Sequence, residues 1–209
     1  KEMRSFFFPA SIFTTVSFLF GNIDILLVRH YCPNEAGFYA IGSILGKICL
    51  FIPSAFNYVL FPEAVLANES GKDGGRFLWI VLGLTLLFAG STALIFCIWP
   101  SAIISLFFGI KYQQAAPILQ YISLSMALMA LTNVIATNSM AQSKFLFLWP
   151  LGGGMSMFLI LIGLFHDSSL IIAKLLFLST CFISVGVFLS YFLLKNRKPK
   201  KNVKDLSVD

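Results

Sequence analysis

The stretch FLWIVLGLTLLFAGSTALIFCIWPSAIISLFFGI, residues 77 to 110, has no charged side chain, and Arg76 and Lys111 close its two ends. A helix needs about 20 apolar residues to cross a hydrocarbon core of about 30 Å, so this run can cross once with residues left over. Trp99 and Pro100 punctuate it, and Trp favours the membrane interface. The run therefore divides into a span over 77 to 99 and a short helix over SAIISLFFG that lies in the interface and is closed by Gly109. Such a run is too long for a spanning strand, which needs about 9–11 residues, so helices are the expected spanning elements.

The same pattern continues on both sides. Arg4 and Asp24 bracket 19 uncharged residues, and Lys111 and Lys144 bracket 32. Hydrophobic residues make up 58% of the chain and charged ones 11%, a balance that a water-soluble core cannot absorb. The expected fold is an all-α membrane protein, a six-transmembrane-helix bundle over 1 to 194. Its spans fall at about residues 6 to 28, 37 to 61, 77 to 99, 115 to 137, 145 to 165 and 170 to 194, followed by a basic cytoplasmic tail over 195 to 209.

An even count of spans puts both ends on one side. With the ends in the cytoplasm, eleven Lys and Arg residues lie inside and two, Arg29 and Lys111, outside. Basic residues concentrate on the cytoplasmic side, so the expected topology is N-in and C-in, as a multi-pass protein of the cell inner membrane.

The formal charge of +6 is not a nucleic-acid signal. The tail alone holds six basic and two acidic residues, which reads as a topology anchor that also touches anionic lipid. Cys32, Cys49, Cys97 and Cys181 are scattered and read as small apolar residues. No His, Cys, Asp and Glu set has metal spacing, and no Ser, His and Asp set suggests hydrolysis. Gly152, Gly153 and Gly154 lack the Lys-Ser sequel of a phosphate loop and point to close helix packing instead. The first hydrophobic stretch is a full-length span and does not read as a cleavable signal peptide; the chain starts at Lys1 rather than Met, so an upstream segment is expected.

Helical spacing gathers the polar residues of the first two spans into stripes. Thr14, Ser17, Gly21 and Asp24 share one face, with Asn22 near its edge, and Ser43, Lys47, Ser54 and Asn57 share another. Lys47 lies about ten residues, or about 15 Å, from the outer end of its span. A lysine near the bilayer centre costs roughly 2.5 to 3.5 kcal/mol on insertion scales, so it needs a partner or water. Asp24 is shallower, about 6 Å down. Two readings stand: an ion pair that merely joins two helices, or a hydrated cavity where Lys47 meets an anionic substrate and Asp24 is a counter-charge or cation site. Pro53 predicts a kink. On the fourth span Ser123, Ala127, Ala130, Asn133 and Thr137 share a face suited first to packing. Lys174 can snorkel to the interface, and Arg29 and Glu63 sit at span ends.

The run NIDILLVRHYCPNEAGFYAIGSILGKICLFIPSAFNYVLFPE (22 to 63), followed by LFFGIKYQQAAPILQYISLS (106 to 125), resembles the second half of polysaccharide flippases of the Wzx type, in the multidrug/oligosaccharidyl-lipid/polysaccharide exporter superfamily. The features that carry the resemblance are Asp24 late in the first helix, Glu-Ala-Gly-x-Tyr at Glu35 to Tyr39, Phe61 with Pro62, and Phe-Gly-x-x-Tyr-x-x-Ala at Phe108 to Ala115. No single one is diagnostic; the ordered set covers nearly all spans.

The resemblance implies one lobe of a two-lobe alternating-access transporter that moves a lipid-linked oligosaccharide for O-antigen, capsule or similar polymers. It implies no cofactor, with driving force from a proton or sodium gradient. Lys47, Ser43, Ser54, Asn57 and Arg29 would then line the substrate cavity, and Asp24 and Asn22 would form the cation or counter-charge site. The other lobe would lie upstream in the same gene or on a second chain. The rivals are a multidrug or cation antiporter of the same superfamily, which midplane Lys47 disfavours, and a half-protein that transports nothing. A sugar polymerase or ligase would need a larger outer loop than the roughly 15 residues available.

Overall fold

The computed structural model describes residues 2–69 and 75–195, and every regular element among them is helical. The order is α1 (Glu2–Phe20), α2 (Ile23–Tyr31), α3 (Ala36–Gly46), α4 (Ile48–Glu69), α5 (Gly75–Ile98), α6 (Pro100–Phe108), a 3-10 turn (Ile110–Ala115), α7 (Ala116–Ala141), α8 (Leu148–Leu164) and α9 (Ser169–Lys195). Residues 70 to 74 and the basic tail beyond Lys195 lie outside the described residues.

Four helical stretches are long and apolar enough to cross a membrane: Ala36–Leu66, Phe77–Ile98, Ile110–Ala141 and Ser169–Leu193. A fifth arises if α1 and α2 count as one span. α8, with 17 residues, is shorter. Large apolar side chains face outward on many elements, among them Phe18, Phe51, Trp79, Leu106, Ile160 and Val185. A surface this apolar suits hydrocarbon and is unusual for water.

α7 is the centre. It packs against α3, α4, α5 and α9, and its buried residues cover all sides of the helix, from Ile118 and Leu119 to Thr137 and Asn138. Glycine lets α3 approach it. A Cβ on Gly42 would meet Ile118 Cγ2 at 2.9 Å, and one on Gly46 would meet Ile122 Cγ2 at 2.7 Å, so only hydrogen fits between these helices. Within the glycine triplet Gly154 alone is pressed this closely, against Ile183 of α9, while Gly152 faces open space. Ser123, Ala130 and Thr137 are buried on α7, in keeping with a packing role.

The first two stretches are interrupted where the sequence predicts unbroken spans. α1 and α2 meet at a bend of 40° at Gly21 and Asn22. Gly21 weakens the helix, and the Asn22 side chain donates to the Phe18 carbonyl at 2.9 Å, in competition with the backbone. Between α3 and α4 the interruption is one residue, Lys47, whose φ of −68° and ψ of −14° stay near helical. It falls six residues before Pro53, the expected kink; α4 continues through Pro53 and Pro62. The carbonyl that Pro53 leaves without its helical donor is that of Cys49, just past the interruption.

The short helix expected between Trp99 and Gly109 appears as α6, with Pro100 in its first turn and Gly109 at φ 93° closing it.

Candidate functional site

Tyr39, Ser43 and Lys47 recur at four-residue intervals, so α3 presents all three on one face. That face meets Asp24 in the first turn of α2. Lys47 Nζ donates to Asp24 Oδ1 at 3.4 Å, while Tyr39 Oη and Ser43 Oγ donate to Oδ2 at 3.1 and 3.3 Å. The Asp24 side chain is fully buried and that of Lys47 is 13% exposed. This is the one ion pair among the described residues.

Helix ends help to hold both charges. Asp24 sits at the N-terminus of α2 and Lys47 caps the C-terminus of α3, where the helix dipoles favour an anion and a cation respectively. The interruptions are therefore what place the pair. α2 runs on to Tyr31, so Asp24 lies about 10 Å from that end, deeper than the sequence suggested, and the Lys47 chain reaches back to it from about 16 Å.

Of the seven residues expected at the site, Asp24, Lys47 and Ser43 come together. The others do not join them. The Ser54 hydroxyl donates to its own helix at the Phe51 carbonyl, 2.6 Å away. Asn57 Oδ1 is buried with no hydrogen-bond partner. Arg29 is exposed in the last turn of α2, and Asn22 is exposed at the bend. On α1, Thr14 bonds the Ala10 carbonyl and Ser17 Oγ is buried without a partner. The bend at Gly21 separates this stripe from Asp24, so the straight polar face drawn from the sequence is not continuous. Tyr39 was missed, although its spacing to Ser43 and Lys47 is the signal that finds it.

A second polar contact ties the ends of α3 and α9. The Ser169 backbone N–H, at the start of α9, donates to Glu35 Oε2 at 2.8 Å. Hydrogen bonding from Ser169 holds the Glu35 carboxyl below its usual range. Beside it the Cys32 thiol donates to the His166 carbonyl at 3.3 Å, and the Tyr31 and His166 rings lie 4.4 Å apart. Burial, with Glu35 and Asp167 nearby, pushes the Cys32 thiol up. A cavity of about 210 Å³ opens at this latch, lined by Glu35, Phe38, Gln114 and Ser168 among others. Between α9 and α7, Lys174 Nζ lies 5.7 Å from the centre of the Tyr121 ring.

Comparisons with family models, curated proteins and solved structures find no match to this chain.

Proposed function

We propose that the chain crosses the inner membrane six times, with both ends in the cytoplasm, and forms half of a flippase that moves a lipid-linked oligosaccharide outward. α1 with α2 makes the first, bent span, α3 with α4 the second, and α5, α7, α8 and α9 the rest. The 17 residues of α8 reach about 26 Å, at the short end for a crossing helix.

One observation carries the functional reading: the Asp24–Lys47 pair stands where the first two spans are interrupted. Transporters bind substrates and ions near the midplane on discontinuous helices, because helix ends aim partial charges inward there. A packing device needs neither the interruption nor an ionised pair, which is costly to bury. Lys47 retains some exposure and offers a cation to a phosphate or an acidic sugar that displaces Asp24 from it. An antiporter for cationic compounds would place a free carboxylate here, and Asp24 already has three donors.

The test is the double variant Asp24→Asn with Lys47→Gln, introduced into the native gene. It leaves no unpaired charge, so the protein should reach the membrane at normal abundance while surface polysaccharide disappears. Normal export by an abundant double variant would reduce the pair to a structural contact.

A further inference from the structure

Asn57, Thr85 and Asn133 each carry a buried side-chain oxygen without a hydrogen-bond partner. They stand on α4, α5 and α7, three helices that pack pairwise against one another. Their register brings them level. Gly42 lies against Ile118 and Gly46 against Ile122, so the α3–α4 stretch and α7 run side by side in the same direction. Eleven residues make three helical turns; the same faces therefore meet again, about 16 Å on, with Asn57 opposite Asn133. The intervening positions agree, since Cys49 and Pro53 on one stripe and Met126 and Met129 on the other are buried.

α5 runs the opposite way and is pinned to α7 where the Gln120 amide donates to the Cys97 carbonyl at 2.9 Å. Thirteen residues beyond Gln120 is Asn133, and twelve back from Cys97 is Thr85. The Phe56 and Phe88 rings, 5.8 Å apart, tie α4 to α5 within a turn of the same level. Thr85 is also unlike its counterparts. Thr14, Thr92, Thr132 and Thr180 each donate to the carbonyl four residues earlier, whereas the Thr85 hydroxyl has no such bond. No hydrogen bond joins any two of the three oxygens, although a threonine hydroxyl can donate to an amide oxygen.

We infer that Asn57, Thr85 and Asn133 form a buried site for one water molecule, which bridges α4, α5 and α7. The Thr85 hydroxyl donates to the water, and its two protons go to Asn57 Oδ1 and Asn133 Oδ1. Three hydrogen bonds are the usual complement of a buried water. A bare cation would also suit three oxygens, but Glu63, the carboxylate of α4 nearer to them in sequence, is exposed, and a buried charge with no counter-charge is costly. Pro53 lies one turn away on α4 and lacks a backbone donor, so this is where α4 can swing from α5 and α7.

Thermal unfolding of the full chain in lipid nanodiscs tests the site. Asn57→Leu or Asn133→Leu alone should lower the midpoint by about 3–6 °C, because the water loses one acceptor and the remaining oxygens lose its support. The triple variant with Thr85→Val should lose no more than either single one. Additive losses, or single variants without effect, would overturn the site. A saturable rise in midpoint with sodium chloride but not with choline chloride, absent in Asn133→Leu, would put a cation there and overturn the water. Radiolytic hydroxyl-radical labelling of the wild type decides independently of whether the variants fold. Met129, buried one turn from Asn133, should be oxidised by the neighbouring water, and an unlabelled Met129 counts against it.

Discussion

In α5, α7 and α9 most hydroxyls turn back on their own helices: Thr92 bonds the Phe88 carbonyl, Thr132 that of Leu128, Thr180 that of Leu176 and Ser190 that of Gly186. In α2 and α3 the corresponding groups cross between helices, and Tyr39, Ser43 and Lys47 all converge on Asp24. The first arrangement keeps each helix self-sufficient, so that association rests on shape and close approach. The second makes two helix ends depend on one carboxylate. A change of charge there must be answered by movement of α2 or α3, whereas α7 with α5 and α9 can serve as the fixed frame.

The largest expected effect strikes that dependence directly. Asp24→Ala removes the acceptor of three donors and leaves Lys47 without its counter-charge, which for a buried pair costs about 3–5 kcal/mol. Thermal unfolding in nanodiscs should show a loss of that order, and adding Lys47→Gln to Asp24→Ala should restore part of it, because no charge is then left unpaired. By contrast Thr132→Val, which removes a hydroxyl bonded to its own helix and in contact with Ser184 of α9, should cost about 1 kcal/mol or less. Equal losses in the two regions would erase the distinction.

The frame should instead be sensitive to volume. A methyl on Gly46 would press on Ile122 Cγ2 and on the Ser123 backbone nitrogen at 3.1 Å, and backbone cannot step aside as a side-chain tip can. Gly46→Ala is expected to destabilise the chain by about 1–3 kcal/mol through overpacking. Gly152→Ala meets nothing within 4 Å and should be neutral, or stabilising by up to about 1 kcal/mol from helix propensity. Matched unfolding measurements on the two variants check this, and a Gly46→Ala protein as stable as Gly152→Ala would mean that α3 is not seated on α7 as described.

Much of the frame was legible in the sequence because long uncharged runs have one structural answer in hydrocarbon. The short helix closed by Gly109 was equally legible, from Pro100 at one end and glycine at the other. Asp24 and Lys47 stood out because charge within an apolar run is expensive wherever it lies. What escaped is relational. The bend at Asn22 depends on a side chain bonding Phe18 rather than solvent, and the interruption at Lys47 on a partner contributed by another helix. Tyr39 reads as an ordinary apolar residue until the α2–α3 contact gives its hydroxyl an acceptor. Glu35 was legible as part of a motif, but its partner is Ser169, 134 residues away, and no local pattern announces that bond.

That bond sets the smallest expected effect, and it joins the two regions at their shared end. Glu35 belongs to the start of α3 and Ser169 to the start of α9, so the latch carries any movement of the charged pair's helix to the frame. A carboxylate at a helix N-terminus stabilises by about 0.3–1 kcal/mol. Hydrogen bonding from Ser169 lowers the Glu35 pKa in the folded chain, so its contribution is fully present above the unfolded value of about 4.3 and is lost as pH falls through the lower folded value. His166 and Asp167 are further ionisable side chains on the loop before Ser169, so the wild-type pH profile alone does not isolate Glu35. The difference between wild type and Glu35→Gln does. The variant should be slightly less stable than wild type at pH 7, and the gap should narrow as pH falls below about 4. Hydrogen exchange at the first-turn amides of α9, corrected for intrinsic rates, should report the same trend locally. A gap that stays constant down to pH 3 would mean that the latch rests on hydrogen bonding geometry alone, with no dependence on the charge of Glu35.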